Sequence, residues 1–177
     1  TCVPADYKPF CFDEGAVAPL ARYGSDYVFH VTSSMHGENG FSCNTPENAG
    51  RRVAQLHTKI AKGRDEIVMT RYFGKEDCET LIITSGVVTR AARSAAQEAN
   101  ASGGKVGFLQ LQTLWSFAGV EVREAARKAK RIVVAEMNYS GQLAGEVKKY
   151  VPDPSLVVGV NSYNGSISRP RAKRRDQ

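Results

Sequence analysis

Between Glu79 and Asn161 four short apolar runs alternate with three longer amphipathic segments, and that alternation restricts the fold more than any other feature of the chain. The runs are T-L-I-I-T (80–84), K-V-G-F-L-Q-L (105–111), R-I-V-V-A-E (131–136) and L-V-V-G-V-N (156–161). They are strand-length and rich in β-branched residues. Between them, apolar residues recur at helical spacing: Val87, Val88, Ala91, Ala92, Ala95, Ala96 and Ala99; then Val122, Ala125, Ala126 and Ala129; then Leu143, Ala144, Val147 and Tyr150, ahead of Pro152 and Pro154. Strands separated by helix-length crossovers pair in parallel, and the right-handed crossover puts helices over the sheet. The expected fold class is therefore α/β, a mainly parallel sheet with helices on both faces, over residues 67–168.

Residues 1–66 read differently. Pro4, Pro9, Gly15, Pro19, Gly24, Gly37, Gly40 and Pro46 punctuate a run with little periodicity, expected to be an irregular arm, the end of an upstream domain. Its one strand candidate is D-Y-V-F-H-V-T (26–32), and Asn39-Gly40 in H-G-E-N-G marks a turn tip of the kind found in hairpins. One helix follows over 45–62, with Thr45 as N-cap and Pro46 in the first turn. Ala49, Val53, Leu56 and Ile60 form its apolar face, and Arg51, Arg52, Lys59 and Lys62 a basic outer surface. At the other end, residues 169–177 form a basic tail, expected to be disordered.

Charge and cysteine usage narrow the function classes. The formal charge of the 177 residues is +6, of which the last nine contribute +4, so the body is close to neutral. A broad nucleic-acid-binding face is thus not indicated, and a tail binding acidic partners would be strongly salt-dependent. No apolar run approaches the roughly 20 residues of a membrane span. Without a visible secretory signal, the expectation is a cytoplasmic chain whose Cys2, Cys11, Cys43 and Cys78 are free thiols. Their spacing suggests no zinc or iron–sulfur site.

Ligands of open α/β sheets sit at the carboxyl ends of the strands. Four loops qualify. Thr84-Ser85-Gly86 opens a helix and can hold an anion or simply cap it; no G-x-G-x-x-G or P-loop pattern is present. T-L-W-S-F-A-G carries Trp115 and Phe117, suited to packing or subunit contact more than to a small ligand. Glu136, Asn138, Gly141 and Gln142 form a turn in which an acid beside an amide can act as a base, but the same residues also make ordinary strand ends and helix entries. The fourth loop, after Asn161, contains Gly165. His30, His36 and His57 complete no metal set.

Several stretches in order resemble a known family: F-H-V-T-S-S-M-H-G-E-N-G-F (29–41), the T-P-E helix start, K-G-R-D-E-I (62–67), V-G-F-L-Q-L-Q-T-L-W-S-F (106–117), A-K-R-I-V-V-A-E-M-N-Y-S-G-Q-L (129–143) and V-N-S-Y-N-G-S-I-S-R-P (160–170). Together they are similar to the alpha subunit of 2-oxoacid:ferredoxin oxidoreductases, from the linker through a second domain like the C-terminal domain of transketolase. Ser116 and Ala118 stand where the family usually has prolines, and Tyr139-Ser140 adds a residue before Gly141.

The resemblance implies conversion of a 2-oxoacid, CoA and oxidised ferredoxin to acyl-CoA, CO2 and reduced ferredoxin. It implies thiamine diphosphate, Mg and iron–sulfur clusters in the full complex, none bound by this chain alone. The implied partners are an upstream pyrimidine-binding domain, a beta subunit, ferredoxin and CoA. No catalytic, cofactor-binding or metal residue is expected here. Trp115, Phe117, Glu136, Asn138, Gly141, Gln142 and Gly165 are the candidates for interface or structural roles. The alternative reading is a stand-alone nucleotide- or CoA-binding α/β module.

Overall fold

The computed structural model describes residues 7–27, 29 and 32–165. His30, Cys2, the basic tail and part of the strand expected over 26–32 lie outside the described residues. The chain divides into two compact units, Thr1–Ile67 and Val68–Gln177.

The second unit is a five-stranded sheet in the order β1-β3-β2-β4-β5, with β1 (Thr70–Gly74), β2 (Thr80–Ser85), β3 (Val106–Leu111), β4 (Arg131–Glu136) and β5 (Val157–Asn161). The four strands expected from the apolar runs all form, and all pair in parallel. Helices α3 (Thr89–Ala101), α4 (Gly119–Ala126) and α5 (Gln142–Val147) supply the crossovers. Alternation along each strand sends Leu81, Ile83, Ile132 and Val134 to one face, where they pack with Val122, Ala126, Leu143 and Val147 of α4 and α5. Val106 and Phe108 point the other way, onto Ala92, Ala96 and Ala99 of α3. Small alanines let α3 lie close to the sheet. Asn100 closes the α3–β3 connection by acting as a strand neighbour: its amide donates to the Val106 carbonyl (2.8 Å) and accepts the Val106 N–H (2.9 Å).

One strand is additional to the sequence reading. β1 pairs antiparallel with β3, Phe73 opposite Phe108. T-R-Y-F-G has neither a long apolar run nor clean alternation, because this edge strand is largely exposed. It is held by long-range contacts: Phe73 lies 6.1 Å from the Phe108 ring, with the Arg93 guanidinium 4.1 Å from the Phe73 centroid.

The first unit contains α1 (Pro46–Lys62) and a one-turn helix α2 (Arg64–Ile67), where one helix was expected. Thr45 caps α1 as expected, accepting the Asn48 N–H. The inward face is not the apolar stripe, however. Val53 and Leu56 are exposed, whereas Asn48, Arg52 and Gln55, at i, i+4 and i+7, are buried. The reason is the arm, whose irregular backbone has few ladder partners for its carbonyls. Asn48 donates to the His36 and Cys43 carbonyls, Arg52 to those of Phe10 and His36, and Gln55 to that of Phe12. The turn at Asn39-Gly40 forms, closed by a Gly37 N–H to Phe41 carbonyl bond of 2.8 Å and flanked by a single antiparallel bridge from His36 to Ser42.

Candidate functional site

The strand order creates a crevice. From β2 the chain runs out to β3 on one side, then returns to β4 on the other, so α3, which leaves β2, and α5, which leaves β4, lie on opposite faces of the sheet. Near their carboxyl ends β2 and β4 each carry a buried polar side chain, Thr84 on β2 and Glu136 on β4. Both are engaged within the protein. Thr84 donates its hydroxyl to that of Thr89 at 3.2 Å rather than capping the helix, and Gly86 takes the left-handed turn with φ +67°.

Glu136 ends β4 with its side chain 6% exposed. One carboxylate oxygen accepts the Leu143 N–H (2.8 Å) and the other the Ala144 N–H (3.0 Å). The side-chain amide of Asn138 also donates to it. The carboxylate thus satisfies the free N–H groups in the first turn of α5 from seven residues away, a charge-assisted cap placed where the helix dipole favours an anion. The Asn138 carbonyl oxygen accepts from Gly141 (2.6 Å) and Gln142 (3.2 Å), folding the turn back on itself. Gly141 sits in the left-handed region at φ +71°, the conformation glycine adopts without Cβ strain. Both oxygens of Glu136 are thus engaged by donors of the turn and of the first turn of α5.

Around this turn the remaining candidates separate. Phe117 packs onto the core and stacks on Tyr150 at 5.0 Å, while Trp115, two residues earlier, is 63% exposed. Gly119 permits that stack, since a Cβ there would come within 2.3 Å of the Tyr150 ring. Gln142 joins the turn through its backbone N–H. Gly165 follows β5 with φ +77° and open space where a Cβ would stand, so its requirement is conformational. Asn161, which sequence reasoning did not single out, completes the turn by donating to the Tyr139 carbonyl (3.2 Å). Its signal was available: an amide ending the last strand, next to the parallel partner that ends in Glu136. Tyr139 and Tyr163 meet edge to face at 4.9 Å, both exposed. With Val87, Leu114 and Trp115, they follow the ends of the parallel strands and present exposed large apolar side chains there.

Among the described residues no three His, Cys, Asp or Glu side chains converge as metal ligands. Nor is any helix there long and apolar enough to cross a membrane.

Residues 78–172, just over half the chain, match the family described as pyruvate:ferredoxin oxidoreductase core domain II. The chain belongs to this family. Across a longer span it is 32% identical to the 2-oxoglutarate synthase subunit KorA of Methanothermobacter thermautotrophicus, covering 94% of this chain and 44% of that subunit. The ketoisovalerate oxidoreductase subunit VorB of Methanothermobacter marburgensis is 33% identical over 52% of this chain and 26% of its own length. A solved 2-oxoglutarate:ferredoxin oxidoreductase from Magnetococcus marinus, with 2-oxoglutarate, coenzyme A and succinyl-CoA bound, matches with a TM-score of 0.75. That match covers 93% of this chain and 29% of that one at 23% identity, which speaks for the fold alone. The chain therefore spans less than half the length of the relatives it matches. The fold and family expected from the ordered motifs are those found.

Proposed function

We propose that this chain is the second-domain part of the alpha subunit of a thiamine-diphosphate-dependent 2-oxoacid:ferredoxin oxidoreductase, and that the carboxyl edge of its sheet is an assembly surface. The reaction of the whole enzyme is 2-oxoacid, CoA and oxidised ferredoxin to acyl-CoA, CO2 and reduced ferredoxin. The observation that carries the reading is the Glu136 turn: the marker motif of the family builds a rigid, internally satisfied loop rather than a set of open catalytic groups. Exposed Tyr139 and Tyr163 at this turn, and exposed Trp115 in the loop after β3, offer large, stiff apolar area of the kind that anchors protein interfaces.

When bound in the complete enzyme, thiamine diphosphate supplies carbanion stabilisation and iron–sulfur clusters carry electrons. Among the described residues no three His, Cys, Asp or Glu side chains converge and Glu136 is committed to α5, and we assign these groups and Mg to other parts of the complex. The chain's own work is to hold the β4–α5 and β3–α4 loops against an upstream pyrimidine-binding domain and a beta subunit, in a cytoplasmic complex.

The test is co-expression of the complete subunit with its beta partner, followed by CoA-dependent reduction of a low-potential dye with 2-oxoglutarate and 2-oxoisovalerate. Activity is expected from the complex and none from the 177-residue chain alone. Turnover by the isolated chain, or failure of the complete subunit to co-purify with a thiamine-diphosphate-binding partner, would contradict the reading.

A further inference from the structure

Within the first unit, a cavity of about 210 Å³ opens beside the buried guanidinium of Arg52. Its walls are mostly apolar, from Phe10, Phe12, Met35 and Leu56; among the described residues its formal charges are those of Arg52 and Lys59, and no Asp or Glu borders it. Arg52 is 6% exposed. Its Nε donates to the His36 carbonyl (3.0 Å), and its Nη1 to the Phe10 carbonyl (2.6 Å) and to Gln55 (2.9 Å). Its Nη2 is buried and has no hydrogen-bond partner among the described residues. The nearby acid, Glu38, forms its ion pairs with Lys8 and Arg51. Burial, with Arg51 close by, lowers the Arg52 pKa from its ordinary value, as expected of a cation short of compensation.

A buried guanidinium with two unused N–H donors, both on Nη2, is costly unless an acceptor meets it, and a carboxylate oxygen is a strong, charge-assisted acceptor for them. We propose that this cavity binds a small monocarboxylate with a compact apolar body, its carboxylate on Arg52 and its body between Phe10, Phe12 and Leu56. The volume suits such a ligand: an apolar cavity of about 150 Å³ takes up benzene. The mostly apolar walls favour a ligand with an apolar body over inorganic phosphate. Nη2 is closed to water in this structure, so entry requires a side-chain shift; Leu56, 54% exposed, and the flexible Lys59 border the cavity. The inference rests on the first unit alone and does not depend on the proposed function.

The probe is benzoate, titrated into the full chain by calorimetry and followed by thermal shift, with toluene and benzylamine as controls of equal body. Benzoate is expected to bind once per chain with millimolar or better affinity and to raise the melting temperature. Each control should bind at least about tenfold more weakly, the loss of one charge-assisted contact. Arg52→Gln should reduce benzoate affinity by a similar factor, and Arg52→Lys by less. Leu56→Trp, which adds bulk at the cavity wall and keeps Arg52, should abolish binding while helix content by circular dichroism is retained. No benzoate binding, toluene binding as well as benzoate, or unchanged affinity in both Arg52→Gln and Leu56→Trp would overturn the proposal.

Discussion

The two units bury one charged side chain each among the described residues, both at 6% exposure, and they use it in opposite ways. Arg52 donates to backbone carbonyls of an arm that has few other donors, whereas Glu136 accepts from the free N–H groups of a helix. In the second unit an apolar core does most of the stabilising, and the buried charge adjusts one loop. In the first, a polar helix face replaces a core, and the charge is the fastener. The difference shows that burial of an ion is decided by which backbone groups a segment leaves unpaired.

Breaking the Glu136 cap should have the largest effect. Glu136→Ala leaves two buried N–H groups and the Asn138 amide without acceptor, for a loss of about 3 kcal/mol in urea-induced unfolding of the second unit. Arg52→Gln should cost about 2 kcal/mol, with a different signature. Hydrogen exchange should rise in residues 7–12 and 35–43 while protection of β2, β3 and β4 stays unchanged. Equal loss of protection in the strands would erase the contrast between the units. Gly119→Ala forces Tyr150 off Phe117 and should cost about 1–3 kcal/mol by overpacking, measured by thermal unfolding.

A smaller effect is expected at β1. The Tyr72 hydroxyl donates to the Lys75 carbonyl at 2.6 Å beside Cys78, and burial, then the Cys78 thiol, raise its pKa. Because the folded value lies above the unfolded one of about 10, this stability is fully present below that pH and is lost as pH rises through the folded value. Tyr72→Phe should cost about 1 kcal/mol at neutral pH and flatten the alkaline end of the stability profile. Least affected should be Trp115→Ala, within about 0.5 kcal/mol in the isolated chain because the ring is 63% exposed. The same change should weaken association with the partner subunit, read by analytical ultracentrifugation.

Those expectations also mark what the sequence made legible. β2, β3 and β4 were readable because they bury enough side chains to need apolar runs, and β5, an edge strand buried only at Val157, was readable from its run of β-branched residues. β1 was not, since this exposed edge strand is specified by its partner β3 rather than by its own composition. On α1 the stripe Val53–Leu56 has helical period, but period says which residues share a face and not which face turns inward. The buried set Asn48, Arg52 and Gln55 became visible only with the arm's carbonyls in place. At the turn, Glu136 and Asn138 were visible as residue types suited to a strand end. Their bonds to α5 depend on a fold-back that Gly141 permits, and Asn161 reaches the turn only because β5 lies beside β4.

The account turns on Glu136 being a structural cap at an assembly surface. Its most direct test is Glu136→Gln in the complete enzyme, with the amount of assembled complex and the turnover per assembled complex measured separately. The expected result is less complex, because an amide cannot accept from both helix N–H groups with a carboxylate's strength, and near-normal turnover in the complex that forms. Normal assembly with abolished turnover would contradict the account and make Glu136 a catalytic group.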